Sequence, residues 1–125
     1  MVELAKLDVD ATVRSLFGQR KLPQLAYHFE RHGAALGCQT ITEYEARFLA
    51  AMNRRYEEIF VTRQSKARSV LMWLAFDRAT NEVLQFNQAS GQVHSFYWVE
   101  DWSKYLASVC PVRIVLVDGI WRVQQ

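Results

Sequence analysis

At 125 residues, half of them apolar and 13% aromatic, the chain is long enough to bury a substantial core and too apolar to stay disordered. It holds no uncharged apolar run of bilayer-spanning length, and its opening residues, MVELAKLDVDAT, lack the apolar stretch of a secretory signal. The net charge of +2 is small but uneven: residues 20–68 carry nine Lys or Arg against five Asp or Glu, a mild invitation to a polyanion.

In chain order, Leu4, Leu7, Val13, Leu16 and Phe17 anchor a short N-terminal helix within residues 1–20, ending near Gly18. Pro23 suits the first turn of a second helix over residues 22–37, where Leu22, Leu25, Ala26, Phe29, Gly33 and Leu36 recur at helical spacing. His28 and His32 fall one turn apart on the border of that stripe, where a side chain is both held and reachable. Gly37 stops the helix. Thr40 followed by Glu43 forms a capping box for a third, predicted to run to about Glu58 with Ile41, Tyr44, Phe48, Met52 and Tyr56 on one side. Arg47, Arg54 and Arg55 occupy its other side, and the polar, basic TRQSKARS of residues 62–69 reads as a loop.

From residue 70 the period changes. VLMWLAF, VLQFN and VHSFYWV, separated by DRATNE and QASGQ, predict a three-stranded antiparallel meander. EDWSKYLASV predicts a short helix, and VRIVLV, a DG turn and IWRVQ predict a final hairpin. The order, helices first and then sheet, predicts an α+β domain in which N-terminal helices pack on a small antiparallel sheet. One domain over 1–125 accommodates this: an N-terminal helix in 1–20, a core over 22–99, and a short helix with a C-terminal hairpin in 100–125. Cys38 and Cys110 lie 72 residues apart without a CxxC pattern. They read as reduced thiols, with a disulfide as the alternative and no structural zinc site.

By spacing alone, the pair His28 and His32 could be an acid–base pair, a metal pair or a polar flank. No third Asp, Glu or Cys ligand stands at a telling spacing. Arg63, Lys66 and Arg68 are candidates for a rim that tracks phosphates. Trp73 and Trp98, on strongly apolar strands, read as core.

The run HFERHGAALGCQTITEYEARF, followed by FDRATNEVLQF and GQVHSFYW, resembles the toxin nucleases of the barnase, EndoU, colicin D and RelE-like superfamily. These are carried at the C-termini of bacterial polymorphic and contact-dependent toxins. The resemblance covers roughly residues 22–99, making that segment a nuclease-like core, and its most specific part is the histidine-bearing run. It implies metal-independent and cofactor-free cleavage of structured RNA, tRNA included, in which a ribose 2′-OH attacks the adjacent phosphate. His28 and His32 match the family's helical histidines, and Ser95 stands where its strand Thr or Ser stands. Tyr97 follows on the same strand face, while His94, Phe96 and Trp98 point the other way. The implied catalytic set is therefore His28, His32, Ser95 and Tyr97, with Arg63, Lys66, Arg68 and His94 binding substrate. The implied setting is a target bacterium's cytoplasm, reached as part of a larger secreted protein, with a cognate immunity protein as partner. Two departures stand out: Ala75 occupies a position where many relatives carry a basic residue, and Trp98 and Val99 stand where Lys or Pro is frequent. They favour the alternative, a catalytically inactive member of the fold that binds protein or RNA.

Overall fold

The computed structural model describes residues 4–63, 71–87, 92–109 and 111–124. A 3-10 turn over Leu4–Lys6 leads into α1 (Val9–Leu16), whose N-terminus is capped by the Asp8 carboxylate accepting the Ala11 N–H at 3.1 Å. α2 (Leu25–His32) is shorter than the periodicity predicts. It stops at His32 and the chain continues as turns through residue 37, with Gly37 at φ 74° and the Cys38 N–H donating back to the Gly33 carbonyl at 2.9 Å. Gly33 is needed for a different reason from Gly37. Its φ is helical, but a Cβ there would sit 2.6 Å from the Phe29 ring.

The predicted capping box opens α3 (Ile41–Met52): Thr40 Oγ1 accepts the Glu43 N–H at 3.1 Å, and Glu43 Oε1 accepts the Thr40 N–H at 3.0 Å. This helix ends at Met52, not near Glu58. The Tyr56 hydroxyl donates to the Ala51 carbonyl at 2.9 Å, so Tyr56 folds back under the helix end. It continues the apolar stripe of the helix without continuing its backbone. The β-branched run that follows forms β1 (Glu58–Arg63), a strand where helix end and loop are predicted.

The meander is present as β2 (Leu71–Asp77), β3 (Glu82–Asn87) and β4 (Gln92–Trp98). After α4 (Trp102–Val109), the hairpin forms β5 (Val112–Val117) and β6 (Ile120–Val123), with Asp118 and Gly119 at φ 51° and 78° in its turn. All six strands join one antiparallel sheet in the order β4-β3-β2-β1-β5-β6. β1 sits inside it, with Val61 opposite Trp73 on one side and Val112 on the other. The fold is α+β, with N-terminal helices packed on the sheet and the C-terminal hairpin extending it. Among the described residues no helix is long and apolar enough to cross a membrane.

Alternation along the strands feeds two apolar layers. On the helix side, Tyr44 and Phe48 of α3 meet Ile59, Trp73, Phe86, Phe96 and Ile114. On the other side, Phe60, Leu74 and Val83 are covered by Trp102 of α4, whose indole stacks on Phe76 at 4.2 Å. Fully burying each such aliphatic or aromatic side chain contributes roughly 1.5–3 kcal/mol.

One buried charge ties the layers together. Glu82, 1% exposed, is bracketed by Arg47, whose Nε donates at 2.8 Å, and by Arg54 Nη1 at 2.5 Å; Arg54 Nε also lies 3.3 Å from Asp77. Arg47 additionally donates to the Leu36 carbonyl at 2.9 Å. The turn after α2 is thereby fixed to β3, which sets how the histidine helix lies over β4. At the far edge, β6 is met by α1: Asp10 Oδ1 accepts the Trp121 N–H at 3.0 Å, and Arg14 donates to the Gly119 carbonyl at 2.5 Å.

Candidate functional site

α2 packs on α3 through its apolar stripe, with Phe29 against Tyr44 at 6.0 Å, and this turns its polar border toward the edge strand β4. There His28 and His32 stack one turn apart, ring centroids 5.9 Å and planes 15° from parallel. The Nδ1 of His28 lies 3.4 Å from Ser95 Oγ, a long contact, and the His32 ring packs against Tyr97 at 5.7 Å. The helix histidines and the strand residues Ser95 and Tyr97 therefore meet at one place, although they lie more than sixty residues apart in sequence.

Their accessibility differs. His28 is 8% exposed but lines a cleft of about 430 Å³ together with Pro23, Gln24, Tyr27, Gln92, Val93 and His94. That volume lies in the range of small-ligand pockets, roughly 300–1,000 Å³. The Tyr97 hydroxyl donates to Gln85 Oε1 at 2.8 Å and lies 3.3 Å from the Tyr105 hydroxyl, under α4. Burial pushes its ionisation far above the ordinary phenol range. Tyr97 is thus committed to the interior and braces His32 through its ring.

His94 departs from simple alternation. Ser95 pairs with Gln85, yet Val93 pairs with Phe86, so His94 is the extra residue of a β-bulge. A bulge re-aims the side chain that it carries. His94 consequently enters the cleft beside His28 instead of pointing away from it, and all three histidines of the chain gather at one sheet edge. Phe96 does point to the opposite face and is fully buried there.

Electrostatics favour the neutral imidazoles. Burial lowers the His28 pKa, and the nearby charges of His94 and Arg31 act in the same sense, while a hydrogen bond with the His94 backbone opposes them. Burial likewise lowers His32, with His28 and Arg31 adding to it. Both rings are therefore proton acceptors near neutral pH. Among the described residues no group of three His, Cys, Asp or Glu is placed to hold a metal ion.

The basic rim sits less directly. Arg63 ends β1, at the same sheet end as Gln92, but β1 lies three strand places from β4, or roughly 14 Å at ordinary strand spacing. Lys66 and Arg68 lie outside the described residues, as does Cys110, whereas Cys38 is a buried free thiol. Ala75 is fully buried in the helix-side core, so a basic side chain there would be driven into apolar packing and not toward the cleft. Trp73 is fully buried as expected. Trp98 is not core: it ends the edge strand and is 38% exposed. Sequence reasoning missed Gln24, Tyr27 and Gln92 as cleft residues. One signal was available, since Tyr27 and Arg31 repeat the i, i+4 spacing of the histidine pair one position earlier, on the neighbouring helix face.

No protein-family model matches the chain, and no curated protein or solved structure is found to match it.

Proposed function

We propose that this chain is a metal-independent endoribonuclease of toxin type, cleaving structured RNA such as tRNA by transesterification. A ribose 2′-OH attacks the adjacent phosphate, the bond to the 5′-oxygen breaks, and the products are a 2′,3′-cyclic phosphate and a free 5′-hydroxyl. The observation that carries this reading is a cleft lined by His28 and His94, with His32 stacked on His28 and the buried Ser95 hydroxyl beside its Nδ1. His28, with its pKa lowered by burial, takes the 2′-OH proton. Ser95 meets His28 at Nδ1 and helps to hold the ring beside the cleft. His32, stacked on His28 and backed by Tyr97, holds the ring plane. His94, at the bulge, returns a proton to the departing oxygen. Arg63, Lys66 and Arg68 are assigned to the path of the RNA backbone. The toxin setting follows the sequence resemblance: delivery within a larger secreted protein into a bacterial cytoplasm, with an immunity protein as the neutralising partner.

Incubating the purified protein with total bacterial RNA and excess EDTA tests the reaction. Discrete fragments ending in cyclic phosphate support it; intact RNA, or cleavage that EDTA stops, refutes it. One observation favours the second reading, a non-catalytic RNA- or protein-binding module: none of the seven residues lining the cleft is Lys or Arg to neutralise a phosphorane. RNA that is bound but left uncut would select that alternative.

A further inference from the structure

We infer that Tyr27 is a stacking platform for one unpaired nucleobase of an RNA strand entering the His28–His94 cleft, an inference that rests on the ribonuclease reading above. Tyr27 is 49% exposed, in a helix whose other aromatic, Phe29, packs against the core. An exposed tyrosine is ordinarily mobile, but this one is clamped. Arg31 Nη1 donates to its hydroxyl at 2.8 Å, the guanidinium lies 5.5 Å from the ring centroid, and His28 meets the ring edge-on at 5.3 Å. The ring is therefore pre-organised at the wall of the cleft without being consumed by packing.

Its surroundings fit a base better than a peptide or a phosphate. Gln24, whose amide carries a donor and an acceptor, lines the same cleft. Gln24 holds a left-handed backbone, φ 56°, at the start of α2, and its side chain makes no capping hydrogen bond there. Strain of this kind at a non-glycine residue concentrates where a side chain must be aimed. A flat aromatic sharing a cleft with an amide and two histidines matches a base that stacks by its face and bonds by its edge, with its 3′-phosphate reaching His28. Arg31, beside Tyr27, adds the positive charge that the cleft lining itself lacks.

The test is binding of a 2′-O-methyl pentanucleotide, which has no free 2′-OH and cannot be cleaved, against the same pentamer with an abasic ribose at each position in turn. Fluorescence anisotropy is read for wild type, Tyr27→Leu and Tyr27→Phe, with folding checked by circular dichroism. One abasic position should weaken wild-type binding by about tenfold or more, the range of a single stacked base. Tyr27→Leu should bind the intact probe and that abasic probe alike, and Tyr27→Phe should stay within about threefold of wild type. Equal weakening of both probes by Tyr27→Leu, or an intact-probe affinity that it leaves unchanged, overturns the platform. An all-ribose pentamer is followed in parallel. If wild type leaves it uncut while the base-dependent loss holds, the platform stands and transesterification falls; if it is cut while base dependence is absent, only the platform falls.

Discussion

Gly33→Ala is the substitution whose cost the geometry defines most sharply. A Cβ at this position would lie 2.6 and 2.7 Å from two carbons of the Phe29 ring, and 2.7 Å from the Phe29 carbonyl oxygen. Ordinary contact begins near 3.4 Å, so the ring must retreat by roughly 0.8 Å. It has little room, because its other side meets Tyr44, which is itself fully buried with its hydroxyl donating to the Phe96 carbonyl at 2.6 Å. Overpacking of this kind costs about 1–3 kcal/mol, or a Tm drop of about 4 °C per kcal/mol for a domain of this size. Urea unfolding followed by far-UV circular dichroism measures it. Gly37→Ala is the control: its φ of 74° disfavours any side chain but nothing lies within 4 Å, so it should cost about 1–2 kcal/mol for conformational reasons alone. The discriminating variant is Phe29→Leu. In that background the Gly33→Ala cost should shrink by 1 kcal/mol or more, while the Gly37→Ala cost should not change. Equal Gly33→Ala costs in both backgrounds would refute the steric argument and would place the requirement for glycine in the backbone.

Glu82→Gln removes the buried carboxylate that Arg47 and Arg54 share, while both guanidiniums keep access to water and Arg54 keeps Asp77; a loss of about 1–3 kcal/mol by denaturant titration is expected, and no measurable loss would mean that the network is not what holds α3 to β3. Because His28 and His32 are held below their ordinary pKa, the folded state binds fewer protons than the unfolded one. Stability should therefore be undiminished above about pH 6.5 and fall as the pH drops from there through the folded pKa values, a slope that the double variant His28→Gln/His32→Gln flattens in unfolding midpoints taken between pH 5 and 8. His28→Ala should abolish RNA cleavage, by about a hundredfold or more, with the far-UV spectrum kept, and an oligonucleotide of deoxyribose should be refused because it lacks the attacking hydroxyl; efficient DNA cutting would end the transesterification reading. The wild-type pH–rate profile should be bell-shaped, with its acid limb lying below the ordinary histidine pKa of about 6.5.

The elements that were legible in the sequence are those whose local signals agree. Thr40 and Glu43 announce a helix start that needs no tertiary partner, and the Asp118–Gly119 turn fixes a hairpin by its backbone preference alone. β1 was hidden because Tyr56 lies at helical spacing from Met52, so periodicity runs across a point where the backbone has already left the helix. The convergence of His28 and His32 with Ser95 and Tyr97 was expected from the resemblance, and the packing of Phe29 on Tyr44 is what brings it about. The place of His94 could not be read in advance: alternation is a rule of uninterrupted ladders, and one inserted residue opposite Gln85 and Phe86 reverses it. Helical spacing puts Arg47 and Arg54 on an outer face, whereas the carboxylate of Glu82, distant in sequence, draws them inward.

The contact between α1 and β6 has a bearing on how the open edge of the sheet is shielded from foreign strands. The sheet ends on a four-residue ribbon whose outer rung would welcome a foreign backbone, and Ile120 there is 48% exposed. Asp10 and Arg14, themselves paired at 3.0 Å, supply one acceptor and one donor to that rung and so impersonate the missing neighbour. Asp10→Ala combined with Arg14→Ala would strip away this impostor and turn the ribbon into a template while leaving the buried Val13 and Leu16 in place, so that turbidity and thioflavin signal should rise with concentration.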